Sequence, residues 1–117
     1  FSKQAEVIQE IADENDCIII GRCAGYILRD EPKCVKVYIS ADKDFRTKRI
    51  MASDHLDEKE AQKKIHSMDK KRDSYFGYYA GQDWKACHTY DLSISTSSLG
   101  IDKAVDLICQ YIDIKFK

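Results

Sequence analysis

Cys17-Ile18-Ile19-Ile20-Gly21-Arg22-Cys23-Ala24-Gly25-Tyr26-Ile27-Leu28 is the stretch on which the reading of this chain turns. Cys17 to Ile20 are apolar, three of the four are β-branched and no charge interrupts them, so the run reads as a strand buried on both faces, as strands of a parallel sheet are. Gly21 permits a sharp turn. Arg22 then falls just past the carboxyl end of the strand, the edge at which open α/β sheets hold ligands. A guanidinium there, near the start of a following helix, suits an anion such as a phosphate. On this stretch alone the blander reading, Arg22 in solvent or beside a surface carboxylate, stays open.

Outward from that stretch the chain alternates helices and strands. Residues 2–15 predict a helix, with Ala5, Ile8 and Ala12 on a face shared with Val7 and Ile11. A short helix is expected over 23–28, and Pro32 keeps the chain before it extended. Val35, Val37 and Ile39 alternate at the strand period within 34–40. Asp42 can cap a helix through Phe45, Arg46, Arg49 and Met51, and Asp57 a longer one that ends near Ala80 at Gly81. Asp91 to Ser95 read as a third strand, and Ile101, Val105, Ile108 and Ile112 mark a last helix over 101–114. Three strands separated by helices imply right-handed crossovers and an α/β fold, a parallel sheet with flanking helices.

The 117 residues make a single domain, long enough to bury about two-thirds of its unfolded surface. A net charge of -1 argues against a dedicated nucleic-acid binder. There is no signal-peptide pattern and no apolar run of membrane-spanning length. Cys17, Cys23, Cys34, Cys87 and Cys109 show no zinc spacing, and no metal site is expected. Their odd number, with Cys17 and Cys109 inside apolar patterns, fits reduced thiols in the core of a cytoplasmic protein. The first residue is Phe1 and not Met, as in a piece of a longer polypeptide.

Two helices carry arginines where apolar side chains are expected. Ala61, Ile65, Met68, Arg72, Tyr75 and Tyr79 fall on one stripe of the long helix, with Asp69 placed for an i,i+3 pair with Arg72. Phe45, Arg49, Ala52 and Leu56 share a face of the helix before it. A charge on an apolar stripe is costly unless paired or turned to a ligand. One such arginine could snorkel, its stem packed and its head in water. Arg22, Arg49 and Arg72 together favour a shared anion site in one concavity at the carboxyl ends of the strands.

Gly21-Arg22-Cys23-Ala24 with Tyr26-Ile27-Leu28, Asp69-Lys70-Lys71-Arg72, the aromatic run Tyr75-Phe76-Gly77-Tyr78-Tyr79, Trp84, and the ending Tyr90 to Gly100 resemble the cytidylate kinase-like family of P-loop nucleoside monophosphate kinases. The resemblance covers essentially the whole chain, and its motifs are specific in combination. It implies that Arg22 holds the phosphate of an acceptor nucleotide such as CMP, that Asp69 and Arg72 handle its ribose and phosphate, and that Arg46 and Arg49 flank a helical lid over about 42–81 and stabilise charge on the transferred phosphoryl group. ATP and Mg²⁺ would be the cofactors of the parent enzyme.

The chain departs from the family at one point. No G-x-x-x-x-G-K-[ST] string follows a strand, because Gly21, Gly25, Gly77, Gly81 and Gly100 are scattered. The chain therefore resembles the carboxyl-terminal part of a P-loop kinase, a truncated fold with three strands, and is expected to be inactive alone. In the family, the loop-bearing strand lies between the strand ending at Arg22 and the strand holding Val37. Its absence leaves three outcomes: the missing segment fills the gap, Cys17–Ile20 closes directly onto Val35–Ile39, or another copy donates a strand; exposed parallel edges invite the last, so a dimer or higher oligomer is expected if these residues stand alone. A second class of function is a non-catalytic module for self-association or protein binding, and a weaker third is RNA contact. Ser93, Ser95, Ser97 and Ser98 beside His88 form no G-x-S-x-G elbow, and His55, His66 and His88 lack ligand spacing. Lys63, Lys64, Lys70 and Lys71 alternate with enough acids to make a solvated ridge.

Overall fold

Two short parallel strands hold the centre of the molecule, a computed structural model that describes residues 2–117. β1 (Val37–Ser40) lies beside β2 (Leu92–Ser95), with Val37 opposite Leu92 and Ser40 opposite Ser95. Asp91 fixes this register from one end: its carboxylate accepts the Lys36 N–H at 2.7 Å, and its own N–H donates to the Lys36 carbonyl at 2.8 Å. At the other end the Thr96 hydroxyl donates to the Ser40 carbonyl at 3.1 Å, and the Ser40 hydroxyl to the Ile94 carbonyl at 3.3 Å. A threonine just after β2 and a serine of β1 therefore stitch the two strands together.

The helices follow local signals. α1 (Ser2–Glu14) buries Ile8 and half-buries Ala5 and Ala12, and packs on the short α2 (Ala24–Ile27). α3 (Lys43–Asp54) starts where the Asp42 carboxylate accepts the Phe45 N–H at 2.8 Å, and α4 (Glu58–Ala80) where Asp57 accepts the Glu60 N–H at 2.8 Å. α4 stops at Gly81, which turns left-handed at φ 66° and donates its N–H to the Gly77 carbonyl. α3 and α4 pack as an antiparallel pair, joined also by an ion pair between Asp54 and Lys64. A 3-10 turn (Cys87–Thr89) leads into β2, α5 (Thr96–Leu99) follows it, and α6 (Ile101–Lys115) closes the chain with Ala104 buried. Among the described residues no helix is long and apolar enough to cross a membrane.

Five expectations need correction. Cys17–Ile20 is not a strand: among the described residues no backbone hydrogen bond joins it to another element, and Ile18 and Ile20 are 94% and 88% exposed. A strand exists through its ladder, and here β1 pairs with β2 while Cys17–Ile20 faces a cavity. The sheet of the described residues therefore has two strands and not three. Closure of Cys17–Ile20 onto Val35–Ile39 does not occur, and the second strand is shorter than 34–40 because the chain joins the ladder only from Val37. Cys17 and Cys109 are exposed and not in the core, since one belongs to the unpaired stretch and the other lines the cavity. All five thiols are free, and Cys23 is the buried one.

The cavity, about 2270 Å³, separates the α1–α2 end from the strand pair. Across it, the Tyr75 hydroxyl of α4 donates to Gln4 Oε1 of α1 at 3.1 Å. The Lys36 stem packs against Gly25, where an added Cβ would come within 3.2 Å of Cγ. Among the described residues no large side chain is fully buried; the core consists of Ile8, Cys23, Ala24, Ala61, Ala80, Ile94 and Ala104 with Thr47 and Thr96.

Candidate functional site

The charged side chains of interest come from three places. Arg46 and Arg49 stand on α3, Asp69 and Arg72 on α4, and Arg22 in the turn after Cys17–Ile20. All five line the cavity. The turn is unusual: Gly21, Arg22 and Cys23 have φ of 70°, 60° and 56°, three left-handed residues in succession. Gly21 takes this conformation without penalty, whereas Arg22 and Cys23 each carry a Cβ against the carbonyl that follows. The left-handed Cys23 then leads directly into α2.

Packing of α3 on α4 brings Arg46 and Asp69 together across 23 residues of sequence. The pair is bidentate: Arg46 Nη1 donates to Asp69 Oδ2 at 2.8 Å and Nη2 to Oδ1 at 2.7 Å, the fork geometry that makes such pairs strong. Arg72 adds a third bond, from Nη1 to Asp69 Oδ1 at 3.3 Å, the expected i,i+3 contact. The Asp69 side chain is 19% exposed and that of Arg72 50%, so the carboxylate is sheltered while the second guanidinium keeps donors free for solvent or a ligand. The hydrogen bonds from Arg46 hold the Asp69 carboxyl below its usual range, against the opposing effect of burial, with the charges of Arg46 and Arg72 adding to the shift. The same bond with Asp69 raises the Arg46 guanidinium further.

Arg22 and Arg49 are exposed, and among the described residues neither has an ion-pair partner. Arg22 nevertheless reaches the α4 side of the cavity: burial, then Cys23 and Tyr79, push the Tyr75 phenol up, and the Arg22 cation pulls it the other way. Tyr75 lies one turn beyond Arg72. The structure thus joins Arg46, Asp69 and Arg72 by direct bonds and sets Arg22 and Arg49 on the same cavity without bonding them to the cluster. Cys23, beside Arg22, is no activated thiol, since burial pushes it up.

An aromatic corner adjoins the cluster. Tyr38 of β1 meets Trp84 edge-on at 5.6 Å and Tyr90 at 5.1 Å, and the Tyr90 hydroxyl donates to the Trp84 carbonyl at 2.6 Å. Burial raises the Tyr38 phenol, the Asp69 charge raises it again, and Arg46 opposes. Tyr38 therefore stands between the loop carrying Trp84 and the ion-pair cluster. Sequence reasoning passed over it, although its phase was a signal: in 37–40 it points to the face opposite Val37 and Ile39.

The five glycines stand apart along the chain, and Asp69 is engaged by two guanidinium groups. Among the described residues no group of three or more His, Cys, Asp or Glu side chains could hold a metal ion.

The profile of the cytidylate kinase-like family matches residues 1–98. A cytidylate kinase of Sulfolobus acidocaldarius is 29% identical over 110 residues, covering 94% of this chain and 60% of the relative. One from Pyrobaculum neutrophilum is 30% identical over 112 residues, covering 92% and 60%. The chain thus spans about 60% of the length of the curated relatives it matches. The crystal structure of an uncharacterized protein from Eubacterium ventriosum superposes with a TM-score of 0.92 at 38% identity, over 96% of this chain and 71% of that one. The matched residues take in the left-handed turn, both strands and the α3–α4 pair that carry the charged cluster, and by that match the chain belongs to the cytidylate kinase-like family.

Proposed function

We propose that the chain carries the acceptor-nucleotide side of a kinase that transfers a phosphoryl group from ATP to a nucleoside monophosphate such as CMP, with the ATP phosphate loop lying outside residues 1–117. One observation supports this above the others: the sheltered Asp69 carboxylate orients Arg46 and Arg72 toward a cavity that Arg22 and Arg49 also line. In phosphoryl transfer the protein's contribution is almost entirely positioning and electrostatic stabilisation. Arg22 and Arg72 hold the acceptor phosphate, Asp69 accepts from the ribose while keeping Arg46 in place, and Arg46 and Arg49 meet the charge that develops on the moving phosphoryl group. α3 and α4 act as the lid that brings these groups in.

Two measurements test the reading. Calorimetric titration of the 117-residue chain should detect CMP and not cytidine, because the phosphate provides the contact. Arg72→Ala should weaken CMP binding by on the order of 1.5–3 kcal/mol, the worth of a charge-assisted bond. Equal affinity for cytidine and CMP, or an unchanged affinity in Arg72→Ala, would refute the assignment. In a coupled assay the chain alone should transfer no phosphoryl group from ATP to CMP, whereas turnover at about 1–100 per second, ordinary for kinases, would show that the phosphate loop is dispensable.

A further inference from the structure

We infer that Lys85 is a further phosphate-binding residue of this site, presented to the cavity by a turn that Tyr38 and Tyr90 clamp at Trp84. The inference rests on the nucleotide reading above and adds a residue to it. The backbone comes first. After α4 ends at Gly81, the chain folds into a tight turn over 83–86: the Ala86 N–H donates to the Asp83 carbonyl at 3.1 Å, and the Lys85 N–H to Asp83 Oδ1 at 3.0 Å. Trp84 and Lys85 are the central residues of that turn, and both line the cavity.

Aromatic contacts then fasten the turn to the sheet. The Trp84 ring meets Tyr38 of β1 edge-on at 5.6 Å, its carbonyl accepts the Tyr90 hydroxyl at 2.6 Å, and Tyr90 packs on Tyr38 at 5.1 Å. Ring pairs of this spacing contribute more than their buried area alone. The turn cannot swing away from β1 without breaking these contacts together. The backbone of Lys85, the next residue, is therefore held in place at the cavity.

The balance of charge points to an anion. The fork of Arg46 engages both oxygens of Asp69, so one cation already balances the carboxylate. Arg72 and Lys85 are then in excess. After the hydrogen bonds and charge of Arg46 and the charge of Arg72, the Lys85 ammonium also helps to hold the Asp69 carboxyl low, which puts it near the cluster. Among the described residues Lys85 makes no ion pair of its own. Three cations less one carboxylate leave two positive charges, the complement of a phosphate monoester carrying about −1.5 to −2 near pH 7. An ammonium suits the place: it is a point charge with three donors on a flexible stem, free to follow an oxygen that the planar guanidinium groups leave open.

Calorimetric titration of CMP into the 117-residue chain and its variants tests the assignment, with Trp84, the single tryptophan, as a local reporter. Lys85→Gln should weaken CMP binding about tenfold or more, the loss expected of one charge-assisted bond, whereas Lys85→Arg should stay within about threefold of the parent. Lys71→Gln removes the same charge from a part of α4 off the cavity and should change the affinity by no more than about twofold. CMP should shift the Trp84 emission of the parent, and cytidine should not. Because Lys85 is exposed, its variants should unfold thermally with the parent. Full CMP affinity in Lys85→Gln, beside a loss in Arg72→Ala, would overturn this inference alone and leave the nucleotide reading standing. No CMP binding by the parent would overturn both. An equal loss in Lys85→Arg and Lys85→Gln would show packing at work, an equal loss in Lys71→Gln and Lys85→Gln would show bulk charge, and either would overturn the inference.

Discussion

At Gly21-Arg22-Cys23 the backbone runs left-handed for three residues, and two of the three pay a steric penalty of about 1–2 kcal/mol each. Arg22→Gly removes that strain and with it the guanidinium. The variant should be as stable as the parent or up to about 1 kcal/mol more stable, while its affinity for CMP falls; denaturant unfolding and calorimetry on the same sample would show the two properties moving apart. Asp69 gives a second residue-level test. Its carboxyl is depressed in the folded chain, so its stabilising effect is complete above the ordinary carboxylate value near 4 and is lost as pH falls toward the depressed folded value. Asp69→Asn should cost about 1–2 kcal/mol at pH 7, and the difference from the parent should shrink as pH falls through the depressed value of the folded chain. The Asp69–Arg72 contact was legible because it is set by helical spacing. The Arg46–Asp69 pair was not, since 23 residues separate its members and only the packing of α3 on α4 brings them together. Gly21 announced a turn, but nothing in the letters of Arg22 and Cys23 signals a positive φ.

Helix ends were the most readable elements, because a cap is a local event. Asp42, Asp57 and Gly81 occupy the capping positions that their residue types suggest. His55 does not suit its place: it ends α3 with a φ of 56°, a conformation that glycine takes more readily. His55→Gly should therefore raise stability by about 0.5–1 kcal/mol, while Gly81→Ala, at φ 66° with open space around it, should lower it by about 1 kcal/mol. Thermal unfolding of the two variants beside the parent checks both signs. Strands were less readable for the opposite reason, since their existence is decided by a partner elsewhere. Cys17–Ile20 has the composition of a central strand and lacks a ladder, whereas Leu92–Ser95, no more apolar, forms one because Asp91 and Thr96 secure both its ends to β1.

For the whole molecule, the α/β class and the order of most elements followed from periodicity, but the hollow did not. A radius of gyration of 15.6 Å against roughly 13 Å for a packed chain of this length records how far the two ends of the molecule stand apart. Sequence patterns show which faces are apolar, not whether anything covers them. One connection within this open body also has a bearing on time. The contact between Lys36 and Asp91 closes a loop of 55 residues, and the larger part of that loop is the α3–α4 hairpin, whose helices are joined by a turn of three residues, 55–57. A hairpin of that kind can form locally, and once formed it shortens the chain that must still be closed. The helical pair should then precede the strand pair on the route to the native state. Stopped-flow kinetics would register the order: Asp57→Ala should chiefly slow refolding, Asp91→Ala should chiefly hasten unfolding, and the reverse assignment would mean that the sheet is the nucleus.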